Sequence, residues 1–208
     1  MKKIIRLLTT FLFLFLATTS YAFPKESFVT TTVLVRGYED WDLLDQEPLD
    51  LPLFYYEQSN QLDIPTSYML RFDAIEDKEI SSRLADLVAT DSAQLLGGLL
   101  EVTPELARKA NVEYQNHGSF TSANHIFLSG YRREDRLRII DTYMETFFDR
   151  FGNYPPVVGV DSLDSFSFDY LVSHYSVIAA FVQDETYQNN NLRQWGSFLA
   201  EPYLPSKT

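Results

Sequence analysis

The residues of this chain best equipped for chemistry are carboxylates and arginines that stand just after short apolar runs. Arg36, Glu39 and Asp40, with Trp41 beside them, follow FVTTTVLV (28–35). Arg71 and Asp73 stand at the tip of 67–72, Glu101 follows LLGGLL (95–100), Asp161 and Asp164 follow the valines of 157–160, and Asp184 follows SVIAAFV (176–182). Carboxylates converging on one cleft repel one another, which favours acid and base roles. Two of them held about 5–10 Å apart are the equipment for cleaving a glycosidic bond, one as acid and the other as nucleophile or base. On this reading Asp73, Glu101 and Asp161 are the candidate catalytic groups. Arg36, Glu39, Asp40, Trp41, Arg71, Asp164, Asp184 and Trp195 are the candidate substrate contacts, the arginines for carboxylate groups and the loop tryptophans as sugar platforms. The competing reading is that loop ends are polar in any protein and need no task.

The elements that must position these groups are legible from periodicity. The runs 28–35, 67–72, 95–100, 157–160 and 176–182 read as strands, and the uninterrupted β-branched pattern of the first predicts burial on both faces. Asp77 predicts the cap of a helix whose Ile80, Leu84, Leu87 and Val88 share a face. Thr103-Pro104 predicts another helix start. Between 127 and 151, Leu137, Ile140, Met144, Phe147, Phe148 and Phe151 recur at helical steps, Gly152 supplies a left-handed stop, and Pro155 and Pro156 forbid resumption. Ser165 is the expected cap of the helix after that. The close pair Gly97-Gly98, inside a strand, predicts tight packing rather than a phosphate loop. Strands and helices alternate along the whole chain, which is the signature of an α/β protein with a parallel sheet or barrel. In such folds, groups at strand carboxyl ends share one cleft.

Bulk properties narrow the classes. Lys2, Lys3 and Arg6, an apolar run centred on 12–16, and Ser20-Tyr21-Ala22 have the form of a secretory signal peptide over 1–22, leaving 23–208 as one domain. Export to a periplasm or to the exterior is the expectation, with the membrane reached only through that segment if it stays uncleaved. Removing its three positive charges takes the formal net charge from −12 to −15, which argues against nucleic acid and anionic lipid as partners. The chain has no cysteine, so its stability must come from its core. The three histidines, His117, His125 and His174, show no metal-ligand spacing, and neither a metal nor another cofactor is expected.

The order of these signals resembles the polysaccharide deacetylase, or NodB-homology, superfamily. VLVRGYED (33–40) stands where that family has an acidic first motif. LPLFYYEQSNQLDIPTSYMLRFDA (51–74) is similar to its helix, "IP" and second strand, and LLGGLLEVTPEL (95–106) to its third strand and turn. REDRLRIIDTYMETFFDRFGNYPPVVGVDSLD (133–164) resembles the helix, G-x-x-P turn and strand leading to its arginine–proline motif. The resemblance implies a deformed seven-stranded parallel (β/α) barrel, either abbreviated or part of a longer chain, and a poly- or oligosaccharide partner. The family binds a divalent metal through an aspartate and an H-x-x-x-H pair; here the matching positions are Leu99 and Thr103, and Val160-Asp161-Ser162 replaces the arginine–proline motif. A conventional metal-dependent deacetylase is therefore not expected. What remains is a hydrolase using strand-tip carboxylates, or a non-catalytic carbohydrate-binding or scaffold protein on the same fold. Divergent deacetylation with carboxylate ligands ranks last.

Overall fold

The computed structural model describes residues 29–39, 47–115, 126–159 and 163–181. Five strands form one parallel sheet: β1 (Thr31–Val35), β2 (Thr66–Leu70), β3 (Gln94–Leu99), β4 (Val157–Gly159) and β5 (Ala179–Phe181). Between them lie α1 (Asp50–Leu62), α2 (Phe72–Glu76), α3 (Lys78–Thr90), α4 (Pro104–Lys109), a 3₁₀ turn (Leu128–Gly130), α5 (Arg133–Phe151) and α6 (Ser165–Tyr175). The strands neighbour one another in chain order. Parallel crossovers are right-handed, so a sheet that always steps the same way carries its helices on one face and curls away from them. The result is an α/β half-barrel. The expectation of a parallel α/β sheet holds at this level.

Register decides which residues face which layer. Val33 pairs with Tyr68 and Tyr68 with Leu96, while Val35, Leu70, Gly98, Val158 and Ala180 form the next row. Their side chains join Leu84, Ile140, Met144 and Phe147 in the main core between sheet and helices. Met69 and Leu99, of the opposite parity, are buried on the concave face. Met69 runs across that face: a Cβ added at Gly97 would collide with its sulfur, and one at Gly159 would lie 3.3 Å from its Cε. The glycine pair of β3 is thus a packing device, as its sequence context predicts.

Four strands differ from expectation. β1 and β5 are the edges of the sheet among the described residues: Thr32 of β1, the strand expected to be buried on both faces, is exposed, and so are Ala179 and Phe181 of β5. The third strand starts and ends one residue early, and the second ends at Leu70 because Phe72 already opens α2.

Helix ends follow elementary capping chemistry. Gly152 adopts φ 75° after Phe151, and its N–H reaches Phe148 O at 2.7 Å. Asp77 Oδ1 accepts the N–H groups of Glu79 and Ile80 at 2.9 and 3.0 Å. Asp77→Ala is expected to cost about 1 kcal/mol, read as a lower urea midpoint with an unchanged slope. At α6 the cap is Asp164 rather than its neighbour Ser165, the carboxylate accepting from Ser167 N–H at 3.1 Å.

Candidate functional site

At the carboxyl ends of β1 to β3 the chain builds a charged network around Arg71. The chain stays extended for one residue past the end of β2, so Arg71 follows Met69 onto the concave side, as Arg36 follows Leu34. Among the described residues Arg71 is the largest fully buried side chain, 1% exposed. Its Nε donates to Asp73 Oδ1 at 2.8 Å, and its Nη2 donates to Asp73 Oδ2 at 2.6 Å and to the carbonyl of Glu39 at 2.5 Å. Nη1 lies 3.6 Å from Glu101 Oε2. Burial alone lowers the pKa of Arg71, but the hydrogen bond and charge of Asp73, with Glu101 and Glu39 behind it, outweigh this and hold it above the usual arginine value.

Each carboxylate has a second set of contacts. Asp73, in the first turn of α2, accepts Ala74 N–H and Glu39 N–H, both at 3.0 Å. The β1 tip can come this close only because residue 37 is glycine: a Cβ there would sit 2.8 Å from Asp73 Cγ and 2.9 Å from its backbone carbon. Glu101 is 1% exposed and is gripped by both arms of Arg36, Nε reaching Oε2 at 2.8 Å and Nη2 reaching Oε1. Arg36, at 21%, is the member of that pair that reaches the surface. Glu39 Oε1 accepts the N–H of Glu105 in the first turn of α4 at 2.9 Å. Among the described residues no group donates to Glu39 Oε2, although that atom is buried.

The two ladders flanking this network close by direct bonds, Arg71 N–H to Val35 O at 2.8 Å and Leu100 N–H to Gly159 O at 2.9 Å. Between β2 and β3 a side chain intervenes. Tyr143 of α5 donates its hydroxyl to Leu70 O at 2.6 Å and accepts from Leu99 N–H at 3.1 Å. It fits because residue 98 has no side chain: a Cβ there would lie 2.9 Å from the hydroxyl oxygen. Burial pushes the Tyr143 hydroxyl well above its ordinary value, so it stays a protonated donor.

The expected site residues therefore divide. Arg36, Glu39, Arg71, Asp73 and Glu101 meet in one network at the expected end of the sheet. Asp164 is the cap of α6, and its Oδ2 also binds Ser167 Oγ at 2.7 Å and Arg136 Nη1 at 2.8 Å. Asp40, Trp41, Asp161, Asp184 and Trp195 lie outside the described residues. Sequence reasoning did not single out Tyr143 or Gly37. The available signals were a tyrosine on the buried side of α5 and a glycine beside a strand tip. Among the described residues no group of three or more His, Asp or Glu side chains is arranged to hold a metal ion, and no helix is long and apolar enough to cross a membrane. Comparison with known proteins adds no assignment: no family model, curated protein or solved structure matches the chain.

Proposed function

We propose that this chain is an exported carbohydrate-active protein that hydrolyses an envelope or extracellular polysaccharide at the carboxyl end of its sheet. The observation that carries the reading is the Arg36–Glu101–Arg71–Asp73 network, charged groups gathered at the end of a parallel α/β sheet where ligands of such folds bind. A glutamate gripped by one guanidinium and faced by another is firmly oriented, with both oxygens accepting. That suits Glu101 to face the positive charge that develops on a sugar ring during cleavage, as nucleophile or as electrostatic stabiliser. Asp73 fixes Arg71 and acts through it. The proton donor is assigned to Asp161, the first carboxylate after the valines of 157–160 in the sequence. The finer reading of the fold, a deformed seven-stranded NodB-type barrel of which this half-barrel is a part, belongs to the same proposal.

One observation favours the alternative of a non-catalytic carbohydrate-binding protein. All four carboxylate oxygens of Asp73 and Glu101 are already engaged by arginine side chains or backbone N–H groups. A glycan array probed with the mature chain and with a Glu101→Gln, Asp161→Asn double variant separates the readings. A ligand that the native chain degrades and the variant only holds establishes a hydrolase. Equal binding by both without product establishes the binding protein, and binding by neither overturns the carbohydrate reading.

A further inference from the structure

A second surface, formed by α5, α6 and the turn before β4, plays no part in that site. Phe148 packs on Tyr154 with ring centroids 4.9 Å apart, Tyr154 on Tyr175 at 5.0 Å, Tyr175 on Tyr170 at 6.1 Å, and Tyr170 on His174 at 4.0 Å. The run is continuous, and Phe148 and His174 at its two ends are exposed. Asp141, Glu145 and Asp149 share the Phe148 side of α5, at successive four-residue steps, while Ile140, Tyr143, Met144 and Phe147 are buried on the other side. The tyrosines orient two of these carboxylates: Tyr170 and Tyr175 both donate to Asp141 Oδ1, at 2.7 and 2.5 Å, and Tyr154 donates to Glu145 Oε1 at 2.9 Å.

This aromatic face is electrically unbalanced. Like charges four residues apart on a helix repel. Yet among the described residues no Lys, Arg or His pairs with Asp141, Glu145 or Asp149. The arginines of α5 near enough to help are committed elsewhere: Arg136 to Asp164, Arg138 to Asp135, and Arg150 to Ser81, Ser82 and the carbonyl of Lys78. Aromatic faces beside uncompensated carboxylates are complementary to cations, and to guanidinium groups above all.

We infer that this face docks an extended, arginine- and lysine-bearing segment of a partner protein. Four residues of helix rise about 6 Å, so the carboxylates form a ladder of that spacing. Alternate side chains of an extended polypeptide recur every ~6.6 Å on one side, so a segment with a cation at every second position meets successive rungs while its cations lie against the rings. Tyr154 and Tyr175 stand just before β4 and β5, at the amino ends of the strands. A segment bound there leaves the Arg71 network at the opposite end open. The inference stands independently of the carbohydrate reading.

The test is fluorescence anisotropy of the mature chain with a labelled peptide of alternating arginine and serine. The comparison sets Asp141→Asn, Glu145→Gln, Asp149→Asn against a control of equal charge change, Glu57→Gln, Asp86→Asn, Glu113→Gln, both checked for native melting. Loss of three ion pairs, two of them at exposed carboxylates and one at the half-buried Asp141, is expected to weaken binding about tenfold in the first triple, and the control to change it less than about twofold. Phe148→Ala is expected to weaken binding severalfold through the lost ring contact. Equal losses in the two triples would show only attraction to net charge and overturn the inference. So would no binding by the native chain, or binding at this face of an amine-bearing oligosaccharide in place of the peptide.

Discussion

Arg71→Met is expected to destabilise the protein by about 3–5 kcal/mol, the scale for removing one partner from a buried ion network. Methionine fills much of the same volume, so the effect is electrostatic rather than a cavity. Without the guanidinium, Asp73 keeps only the N–H groups of Ala74 and Glu39, and the carbonyl of Glu39 loses its donor. Glu101 keeps Arg36. The damage should therefore concentrate on Asp73, and Arg71→Met with Asp73→Asn should recover part of the loss. Arg71→Lys retains the charge but cannot reach Asp73 Oδ1, Asp73 Oδ2 and the Glu39 carbonyl with one planar fork, so it should fall between native and methionine. Urea unfolding measures all three variants. An Arg71→Met variant within about 0.5 kcal/mol of native would mean that the network contributes nothing to stability, against the expectation for a buried pair.

The second large effect is expected at the seam between β2 and β3. Gly98→Ala places a methyl 2.9 Å from the Tyr143 hydroxyl, 3.0 Å from its Cε1 and 3.3 Å from Pro155 Cγ. Tyr143 is fully buried and cannot swing aside, so overpacking should cost about 1–3 kcal/mol. Tyr143→Phe leaves Leu70 O without its donor and Leu99 N–H without its acceptor, which should also cost about 1–3 kcal/mol. The two changes share one contact, so they should not add. Deleting the hydroxyl removes the nearest clash, and the double variant should be more stable than the sum of the single losses predicts. Strict additivity in a thermal or urea double-mutant cycle would show that Gly98 and Tyr143 do not meet.

Most of what was legible beforehand was local. The Asp77 and Thr103 caps, the Gly152 stop and the alternation of strands with helices depend on residues within a few positions of one another, and each appears in the fold. The convergence of Arg36, Glu39, Arg71, Asp73 and Glu101 was also legible, because a parallel sheet gathers every strand tip at one end whatever the exact register. The misreadings came from counting apolar residues without knowing their neighbours. Phe148 shares the helical periodicity of Phe147 but lies on the stripe of Asp141, Glu145 and Asp149, and it is 41% exposed. Ile139 and Tyr143, by contrast, are buried. The bond from Tyr143 to Leu70 spans 73 positions. No local pattern encodes such a contact; it exists because α5 crosses the sheet where Gly98 leaves room. The choice of Asp164 over Ser165 as cap turned on one residue of register, within the ordinary uncertainty of helix ends.

The most direct test of the central claim, that the Arg71 network is the ligand site, is amide hydrogen exchange on the protein with and without its best array glycan. Protection is expected to be confined to 36–39, 71–77 and 99–106, and to persist in the Glu101→Gln, Asp161→Asn variant, which holds the ligand without degrading it. Protection that leaves those segments unchanged and appears instead at 141–154 and 170–175 would contradict it, moving the ligand to the opposite end of the sheet.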